Sequence, residues 1–310
     1  MDTTFECDAG VERVTHPRRD STGGRAYLDL QAKARRDGRP TDELLVLYIL
    51  ERFLYRLSVS THRDRLVLKG GMLLAAFDER RPTADVDLLA QRVTNNVGAV
   101  AGLVREIVAV EVDDGVVFDP SKLRAQVIRE ADLYTGVRIV VPAGVARARH
   151  PLRVDVNVGD PVTPAPVEVT YPALLAEPFT VVGYPLETVL AEKIVTMVDR
   201  GDATTRERDF ADVFVLTKRY AVGAAELAAA VHATGAHRRS DLRPLRTVLV
   251  TLAATRQSAW EQFVNRSGLG DEVPADFAET IAAIADFADP ILGEEAMSGE
   301  WDPATRAWMR

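Results

Sequence analysis

Two glycines followed by two aspartates form the pattern that most constrains the fold of this chain. A short apolar run at Leu66–Leu68 predicts a strand that ends at Gly70 and Gly71, before a short helix and a loop. Glycine adopts positive φ angles and lets other groups approach the backbone closely. A second strand is predicted to begin near Asp85, and because side chains alternate along a strand, Asp85 and Asp87 share one face. The alternate residues, which can pack in a core, are Val86 and Leu88.

The two aspartates predict a site for a divalent cation. Adjacent carboxylates repel each other and are costly to desolvate, and a bound cation removes that cost. Magnesium prefers carboxylate oxygens together with substrate phosphates, and one or two ions can hold the reacting oxygens of a phosphoryl transfer. An isolated Asp-x-Asp can equally be a polar strand end at a loop. The glycine pair 15 residues before Asp85 favours the functional interpretation.

Two later helices carry polar residues inside apolar stripes. At 100° per residue, Lys193 projects from the apolar stripe of Leu186–Arg200, so it either extends to solvent or points into a polar site. In the next helix, Arg206–Arg219, Asp209 lies within the apolar face and Asp212 lies nearer its edge. Asp209 could pair with Lys193 in a site, or the two could form a structural ion pair between the helices.

Hydrophobic periodicity predicts the remaining elements. Before the glycine pair, the predicted elements are a loose arm at residues 1–24 and helices at Arg25–Arg36 and Thr41–Leu57, the second capped by Thr41. After the aspartates, they are a helix at Val97–Val110 and strands at Arg124–Glu130, Gly136–Val141 and Leu152–Val158. A proline-rich connection at Pro161–Pro185 leads to helical segments at 186–200, 206–219, 224–234, 244–264 and 275–288. This order predicts an α+β protein with three parts, residues 1–64, 65–185 and 186–310.

Composition narrows the class of protein. The chain has 310 residues, of which 47% are hydrophobic, and it lacks the apolar run of about 18 residues that a membrane helix needs. Its first residues do not resemble a secretory signal. Cys7 is the only cysteine, so an internal disulfide and a cysteine-based zinc site are excluded. These features are typical of a cytoplasmic protein.

The formal net charge of −8 disfavours nonspecific binding to nucleic acid, but a local basic surface could still bind RNA. Three groups of basic residues are candidates for such a surface or for ordinary solvated positions. They are Arg13/Arg18/Arg19/Arg25, Lys33/Arg35/Arg36 and Arg238/Arg239/Arg243/Arg246. The last group lies in the helical half, where it could contact the duplex stem of an RNA.

The order Gly-Gly, short helix, Asp-x-Asp resembles the nucleotidyltransferase superfamily. The flanking sequences RLVLKGGMLLAAF and RPTADVDLL resemble the AbiEii/AbiGii toxin family more closely, and that family includes the mycobacterial MenT toxins. The segments LYILERFLYRL, LAEKIVTMVDR and RERDFADVFVL also resemble it. The resemblance runs from about Ala26 to Tyr220.

The resemblance implies a polymerase-beta-like mixed sheet and a reaction at the α-phosphate of a nucleoside triphosphate. Asp85 and Asp87 would ligate magnesium, and Asp155 would stand on a neighbouring strand as the third carboxylate, completing the metal site or accepting the proton of the acceptor hydroxyl. Lys193, in the matching Glu-Lys pair, would hold the triphosphate. Asp209, after Arg208, matches the following motif.

The glycine pair contributes to the same implied site. Gly70 and Gly71 would let backbone amides approach the phosphates, and Lys69 could add positive charge or simply end the strand. The superfamily often has serine directly after the first glycine. Gly71 departs from that pattern, which puts a hydroxyl contact to phosphate in doubt.

The biological role is implied by the resemblance alone. The chain looks like the toxin of a type IV toxin–antitoxin pair that adds nucleotides to the tRNA acceptor end and blocks translation, with a cognate antitoxin as a further partner. Two other interpretations stay open. The acceptor could be a small molecule or a protein, or the fold could be a catalytically silent binding scaffold. The joint presence of Asp85, Asp87, Asp155 and Lys193 argues against the silent scaffold.

Overall fold

The order of helices and strands comes from a computed structural model that describes residues 17–79, 81–94, 96–130, 134–293 and 297–309. The helices are α1 (Thr22–Arg36), α2 (Thr41–Val59), α3 (Gly70–Leu73), α4 (Val97–Val108), α5 (Leu186–Arg200), α6 (Glu207–Arg219), α7 (Ala224–Arg238), α8 (Leu245–Val248), α9 (Leu252–Ser267) and α10 (Phe277–Leu292). The strands are β1 (Leu66–Lys69), β2 (Val86–Ala90), β3 (Val116–Phe118), β4 (Arg124–Glu130), β5 (Tyr134–Val141), β6 (Ala143–Val145), β7 (Ala148–Arg149), β8 (Leu152–Val158), β9 (Val167–Tyr171), β10 (Phe179–Gly183), β11 (Val222–Gly223), β12 (Glu300–Asp302) and β13 (Ala307–Met309). The predicted α+β class is confirmed.

The N-terminal helices differ from the prediction at their first residues. Helix α1 begins earlier than predicted because the Ser21 hydroxyl accepts a hydrogen bond from the Gly24 amide at 3.1 Å, which caps the helix. Residues 22–24 are therefore helical, and residues 1–16 of the predicted arm lie outside the described residues. The prediction that Thr41 caps α2 is wrong, because Pro40 takes the cap position without a side-chain hydrogen bond.

The core of the protein is a seven-stranded mixed sheet in the order β4-β5-β8-β2-β1-β10-β9. Strand β2 pairs antiparallel with β1 and parallel with β8, and β5 pairs antiparallel with β8. The three strands predicted between residues 124 and 158 are confirmed. The proline-rich stretch 161–185 was predicted as a connection with short extended pieces, and it supplies the strands β9 and β10, of which β10 pairs parallel with β1. Prolines stand outside these strands, so they do not interrupt the ladder.

Strand register places four charged residues in one row across the sheet. Lys69 on β1 is opposite Asp87 on β2, Asp87 is opposite Asp155 on β8, and Asp155 is opposite Arg138 on β5. Residues opposite each other in register project from the same face. The sheet therefore presents a row of a cation, two carboxylates and a second cation. The other face is apolar and buried, through residues that include Val86, Leu88, Val154 and Val156.

The helical half adds two features that periodicity did not predict. The predicted helix at 244–264 is divided into α8 and α9 because the carboxylate of Asp202 accepts hydrogen bonds from the amides of Thr251 and Leu252, where α9 begins. Strands β11, β12 and β13 form a small separate sheet. No helix within the described residues combines the length and the apolar character needed to cross a membrane.

Candidate active site

A cleft of about 720 Å³ opens over the charged row of the sheet and is walled by residues of α5, α6 and α7. All of the residues that the sequence nominated for the site line this cleft. They are Lys69, Gly70, Gly71, Asp85, Asp87, Asp155, Lys193 and Asp209. Segments that are far apart in sequence therefore supply one concave surface.

The glycine pair lies directly against the carboxylates. Gly70 has a φ of +65°, and a Cβ atom at this position would stand 2.0 Å from Oδ2 of Asp87. Both the backbone angle and the neighbouring carboxylate thus require glycine here. At Gly71, an added Cβ would stand 2.9 Å from Oγ1 of Thr83, whose hydroxyl donates to Oδ1 of Asp85 at 3.1 Å. A hydroxyl is therefore present beside Gly71 even though no serine follows Gly70.

The paired aspartates occupy an electrostatically unfavourable position. Burial raises the pKa of Asp87 to about 6, and the negative charge of Asp85 adds to this shift. Lys69 acts in the opposite direction without restoring the ordinary pKa value. Such a pair gains stability from a divalent cation, because the cation offsets both the repulsion and the cost of desolvation.

Asp85 and Asp87 fit magnesium as a pair of carboxylates. Asp155 is not arranged with them as a third ligand. Among the described residues, no three His, Cys, Asp or Glu side chains are arranged to hold a metal ion. The two oxygens of Asp155 instead accept hydrogen bonds from Nε and Nη2 of Arg138 at 2.8 and 2.6 Å. Magnesium commonly uses one or two carboxylates together with phosphate oxygens and water. Asp85 and Asp87 satisfy that requirement, and a metal-binding role of Asp155 stays a prediction.

Lys69 directs its charge into the protein. Its Nζ donates to Oδ2 of Asp160 at 2.9 Å and to Oε1 of Glu192 at 2.7 Å, and it stands 5.1 Å from the ring centroid of Tyr184. Burial alone would lower the pKa of Lys69, but Glu192 and its other acidic neighbours hold that pKa well above its usual range. Lys69 therefore opposes the charge of Asp87 from a fixed position.

Lys193 joins α5 to α6 through both candidate aspartates. Its Nζ donates to Oδ1 of Asp209 at 3.0 Å and also contacts Asp212. Only 13% of its side chain is exposed, so extension into solvent is excluded. Asp212 is fully buried and accepts two hydrogen bonds from Arg81, at 2.9 and 3.1 Å. Asp209 lines the cleft, and Asp212 lies behind it as the partner of Lys193 and Arg81.

Glu79 is a buried acid that sequence reasoning missed. Its side-chain oxygens have no hydrogen-bond partner within the described part of the chain, and the residue is only 4% exposed. Burial raises the pKa of Glu79 to about 9, and the charge of Asp212 adds to the shift. Glu79 follows the short helix after the glycines, where nothing in the local sequence indicates burial.

The basic residues of the cleft differ from the group that the sequence nominated for tRNA. Of that group, Arg238 lines the cleft and donates to Oγ1 of Thr196 at 2.8 Å. Arg246 instead pairs with Asp286 and Asp289 of α10, and it does not line the cleft. Of these four arginines only Arg238 lines the cleft, and their role as one surface for the tRNA stem stays a prediction. The other basic residues at the α5–α6 wall are Arg200, Arg206 and Arg208.

Two solved structures are similar to this chain at low sequence identity. The crystal structure of JHP933 from Helicobacter pylori matches with 13% identity and a TM-score of 0.45, covering 79% of this chain and 90% of that one. A candidate nucleotidyltransferase from H. pylori matches with 14% identity and a TM-score of 0.43, covering 79% and 93%. These two similarities are too weak to indicate function, and no curated protein matches.

The comparison with models of protein families identifies the family of this chain. The model of the nucleotidyl transferase AbiEii toxin family, described as belonging to type IV toxin–antitoxin systems, matches residues 52–285. The matched range contains the glycine pair, the carboxylates of the sheet and both helices that supply Lys193 and Asp209. The chain therefore belongs to the AbiEii family of nucleotidyl transferase toxins.

Proposed function

We propose that this nucleotidyltransferase moves a nucleoside monophosphate from a triphosphate to an RNA acceptor, with the 3′ acceptor end of tRNA as the target. Membership in the family implies nucleotidyl transfer, a nucleoside triphosphate substrate and a cognate antitoxin. The RNA acceptor and the resulting block of translation are our proposal. The observation that carries it is the cleft, in which paired carboxylates face a wall of arginines.

In the proposed reaction, an acceptor hydroxyl attacks the α-phosphorus of the triphosphate. The new bond joins the acceptor oxygen to phosphorus, the bond between the α-phosphorus and the bridging oxygen breaks, and pyrophosphate leaves. Asp85 and Asp87 would hold magnesium, which when bound neutralises charge on the phosphates. Asp155 would join that site or take the proton of the hydroxyl. This assignment would require Arg138 to release at least one oxygen of Asp155.

The glycine turn and the helical wall would position the triphosphate. Gly70 and Gly71 line the cleft, and because they have no side chains of their own they would let backbone amides approach a phosphate. The hydroxyl of Thr83 lies where it could donate a hydrogen bond that a serine at position 71 would otherwise supply. Lys193 lines the cleft from the opposite side and would act on phosphate oxygens as a point charge.

The arginines of the wall support a polyanionic acceptor. Arg200 and Arg208 are exposed and line the cleft. Contacts to phosphates position a nucleic acid without reading its sequence. A single-stranded tip on a duplex stem would fit such a cleft, with the tip at the carboxylates and the stem along the arginines. A small-molecule acceptor would gain little from the arginines.

The test is to incubate the protein with magnesium, each labelled nucleoside triphosphate in turn, and either total RNA or purified tRNA. We expect label in tRNA, at its 3′ end, and release of pyrophosphate. Asp87→Asn should remove nearly all transfer without unfolding the protein, as circular dichroism would check. If the label is found in protein or in a small molecule and not in RNA, that molecule is the acceptor. If the wild type and Asp87→Asn release no pyrophosphate with any acceptor, the catalytically silent binding scaffold becomes the explanation.

A further inference from the structure

Arg138 holds the third carboxylate of the site by both of its oxygens. The two residues are opposite each other in the antiparallel pair of β5 and β8, and the guanidinium donates to Oδ1 and Oδ2 of Asp155 at 2.8 and 2.6 Å. This two-point geometry is the strongest arrangement for an arginine and a carboxylate. While it persists, both oxygens of Asp155 are engaged by an internal cation.

The charge of Arg138 also acts on the other carboxylates. The hydrogen bonds that Arg138 donates to Asp155 hold the pKa of Arg138 above its usual range, and the charges of Asp85 and Asp87 add to that effect. One guanidinium thus opposes three negative charges that face the cleft. A divalent cation at Asp85 and Asp87 would oppose the same charges. Arg138 and such a cation would therefore compete electrostatically and for the oxygens of Asp155.

The two cations of the charged row differ in their freedom to move. Lys69 is held by two carboxylates, and its side chain is only 11% exposed. The side chain of Arg138 is 37% exposed, and within the described residues its hydrogen bonds all go to Asp155. It also lines the open cleft. Arg138 can therefore leave its partner without breaking any other described contact, whereas Lys69 cannot.

We propose that Arg138 is an internal counter-cation that holds Asp155 away from the metal site until a divalent cation displaces it. This inference rests on the proposed function, in which Asp85 and Asp87 bind that cation. Asp155 then joins the bound ion, and Arg138 turns into the cleft, where phosphates of substrate offer it new partners. Arg138 is thus a positioning residue that acts through Asp155, and it sets how tightly the empty protein binds metal.

The test measures Mn²⁺ binding without nucleotide, by the loss of the free-ion signal in electron paramagnetic resonance. We expect Arg138→Gln to lower the Kd for Mn²⁺ about three- to fivefold, the range for loss of a competing, partly exposed ion pair. The same substitution in an Asp155→Asn background should change the Kd much less. This double-mutant cycle separates competition for Asp155 from a general effect of charge.

Two further variants keep the result interpretable. Arg153 is exposed on β8, two residues from Asp155, so Arg153→Gln removes a nearby positive charge without releasing Asp155. An equal gain in that control would overturn the proposal, as would equal gains in both Asp155 backgrounds. Arg138→Lys keeps the charge but loses the two-point contact, so it should give a smaller gain than Arg138→Gln.

Thermal unfolding tests whether the role of Arg138 is purely structural. In chelator, Arg138→Gln should lower the Tm because a buried carboxylate loses its partner, and saturating Mn²⁺ should raise that Tm by more than it raises the wild-type value. A loss that Mn²⁺ does not restore would contradict the proposal. Unchanged affinity in Arg138→Gln alone defeats this inference and leaves the proposed function intact. Absence of Mn²⁺ binding in every protein defeats both.

Discussion

At the scale of single residues, the site depends most on Gly70. Its φ of +65° and the 2.0 Å approach of an added Cβ to Oδ2 of Asp87 are separate constraints. Because they are separate, a matched substitution can tell them apart. Gly38 has the same φ of +65° but nothing within 4 Å of an added Cβ.

We expect Gly70→Ala to abolish transfer and to destabilise the protein more than Gly38→Ala does. The Gly38 variant suffers only the backbone penalty of roughly 1–2 kcal/mol and should keep full activity. The Gly70 variant must also displace the carboxylate of Asp87. Urea unfolding and labelled-nucleotide transfer on both variants check this. Equal losses of stability and activity in the two would refute the carboxylate contact.

A second prediction at this scale concerns Glu79 and pH. The pKa of Glu79 in the folded protein, about 9, lies above the ordinary 4.5, so the folded state keeps a proton that the unfolded chain loses. Stability from this group is therefore greatest below pH 4.5 and falls as pH rises toward 9. The linkage slope is at most about 1.4 kcal/mol per pH unit.

Glu79→Gln should remove that slope, because an amide stays neutral in both states. Urea unfolding at pH 6, 7 and 8 should show that the free energy of unfolding of the variant increases relative to that of the wild type as pH rises. Glu279 is exposed on α10, so the stability of Glu279→Gln should depend on pH in the same way as that of the wild type. If the stability of Glu79→Gln also depends on pH in that way, the folded protein does not hold this proton.

At the scale of whole elements, a buried ion pair joins helix α2 to the segment before β3. Arg56 of α2 donates to Oδ2 and Oδ1 of Asp114 at 2.6 and 3.2 Å, and Asp114 precedes β3. Both side chains are almost fully buried. The pair of Arg63 and Glu168 also joins distant segments, but its side chains are 47% and 62% exposed.

Arg56→Met should therefore cost about 3–5 kcal/mol of stability, since it leaves the carboxylate of Asp114 buried without its partner. Arg63→Met should cost less than about 1 kcal/mol, because solvent screens the exposed pair. Urea unfolding of both variants at pH 7 measures the difference. Similar costs would mean that burial does not decide the contribution of these pairs.

The helices and strands show how much of the fold can be predicted from the sequence. Helices with a clear apolar stripe, such as α5 and α6, were predicted almost to the residue because 3.6-residue periodicity is a local property. The break before α9 depends on Asp202, which is 49 residues from Thr251, so no local pattern contains it. Strands β9 and β10 were predicted only as short extended pieces of a connection, because prolines near a short strand resemble a connection.

For the site, residue types were predictable and contacts were not. The aspartates and Lys193 stood out as polar groups in apolar patterns, and the family resemblance suggested roles for them. The contact of Arg138 with Asp155 requires knowledge of which strands are neighbours and in which register, and a single sequence does not give strand order. Alternation did indicate that Asp155 points away from the core, and this much was correct.

At the scale of the whole molecule, charge is distributed unevenly. The full chain carries a formal −8, whereas the described residues that line the cleft include eight lysines and arginines against seven acidic residues. The cleft is thus close to neutral on an acidic protein. This distribution favours approach of a polyanion to the cleft and opposes its binding elsewhere.

Reversing two arginines of the cleft wall tests this distribution. Arg200→Glu with Arg208→Glu should weaken tRNA modification and reduce the slope of log binding against log salt by about two units, near one per phosphate contact. Arg239 and Arg243 are exposed but do not line the cleft, so the same reversals there should change the slope little. A larger effect from the second pair would return the stem contact to the arginines first suggested by the sequence.

The charged row across the sheet has a further consequence for how the protein folds. Strand side chains alternate, so a shift of β8 by one residue would turn Asp155 into the apolar core and turn Val154 and Val156 out of it. The protein would lose apolar burial and gain a desolvated charge at the same step. Correct alignment of the charged row is therefore enforced by the valines behind it. A chain that has packed its core correctly has already aligned these charges across the sheet.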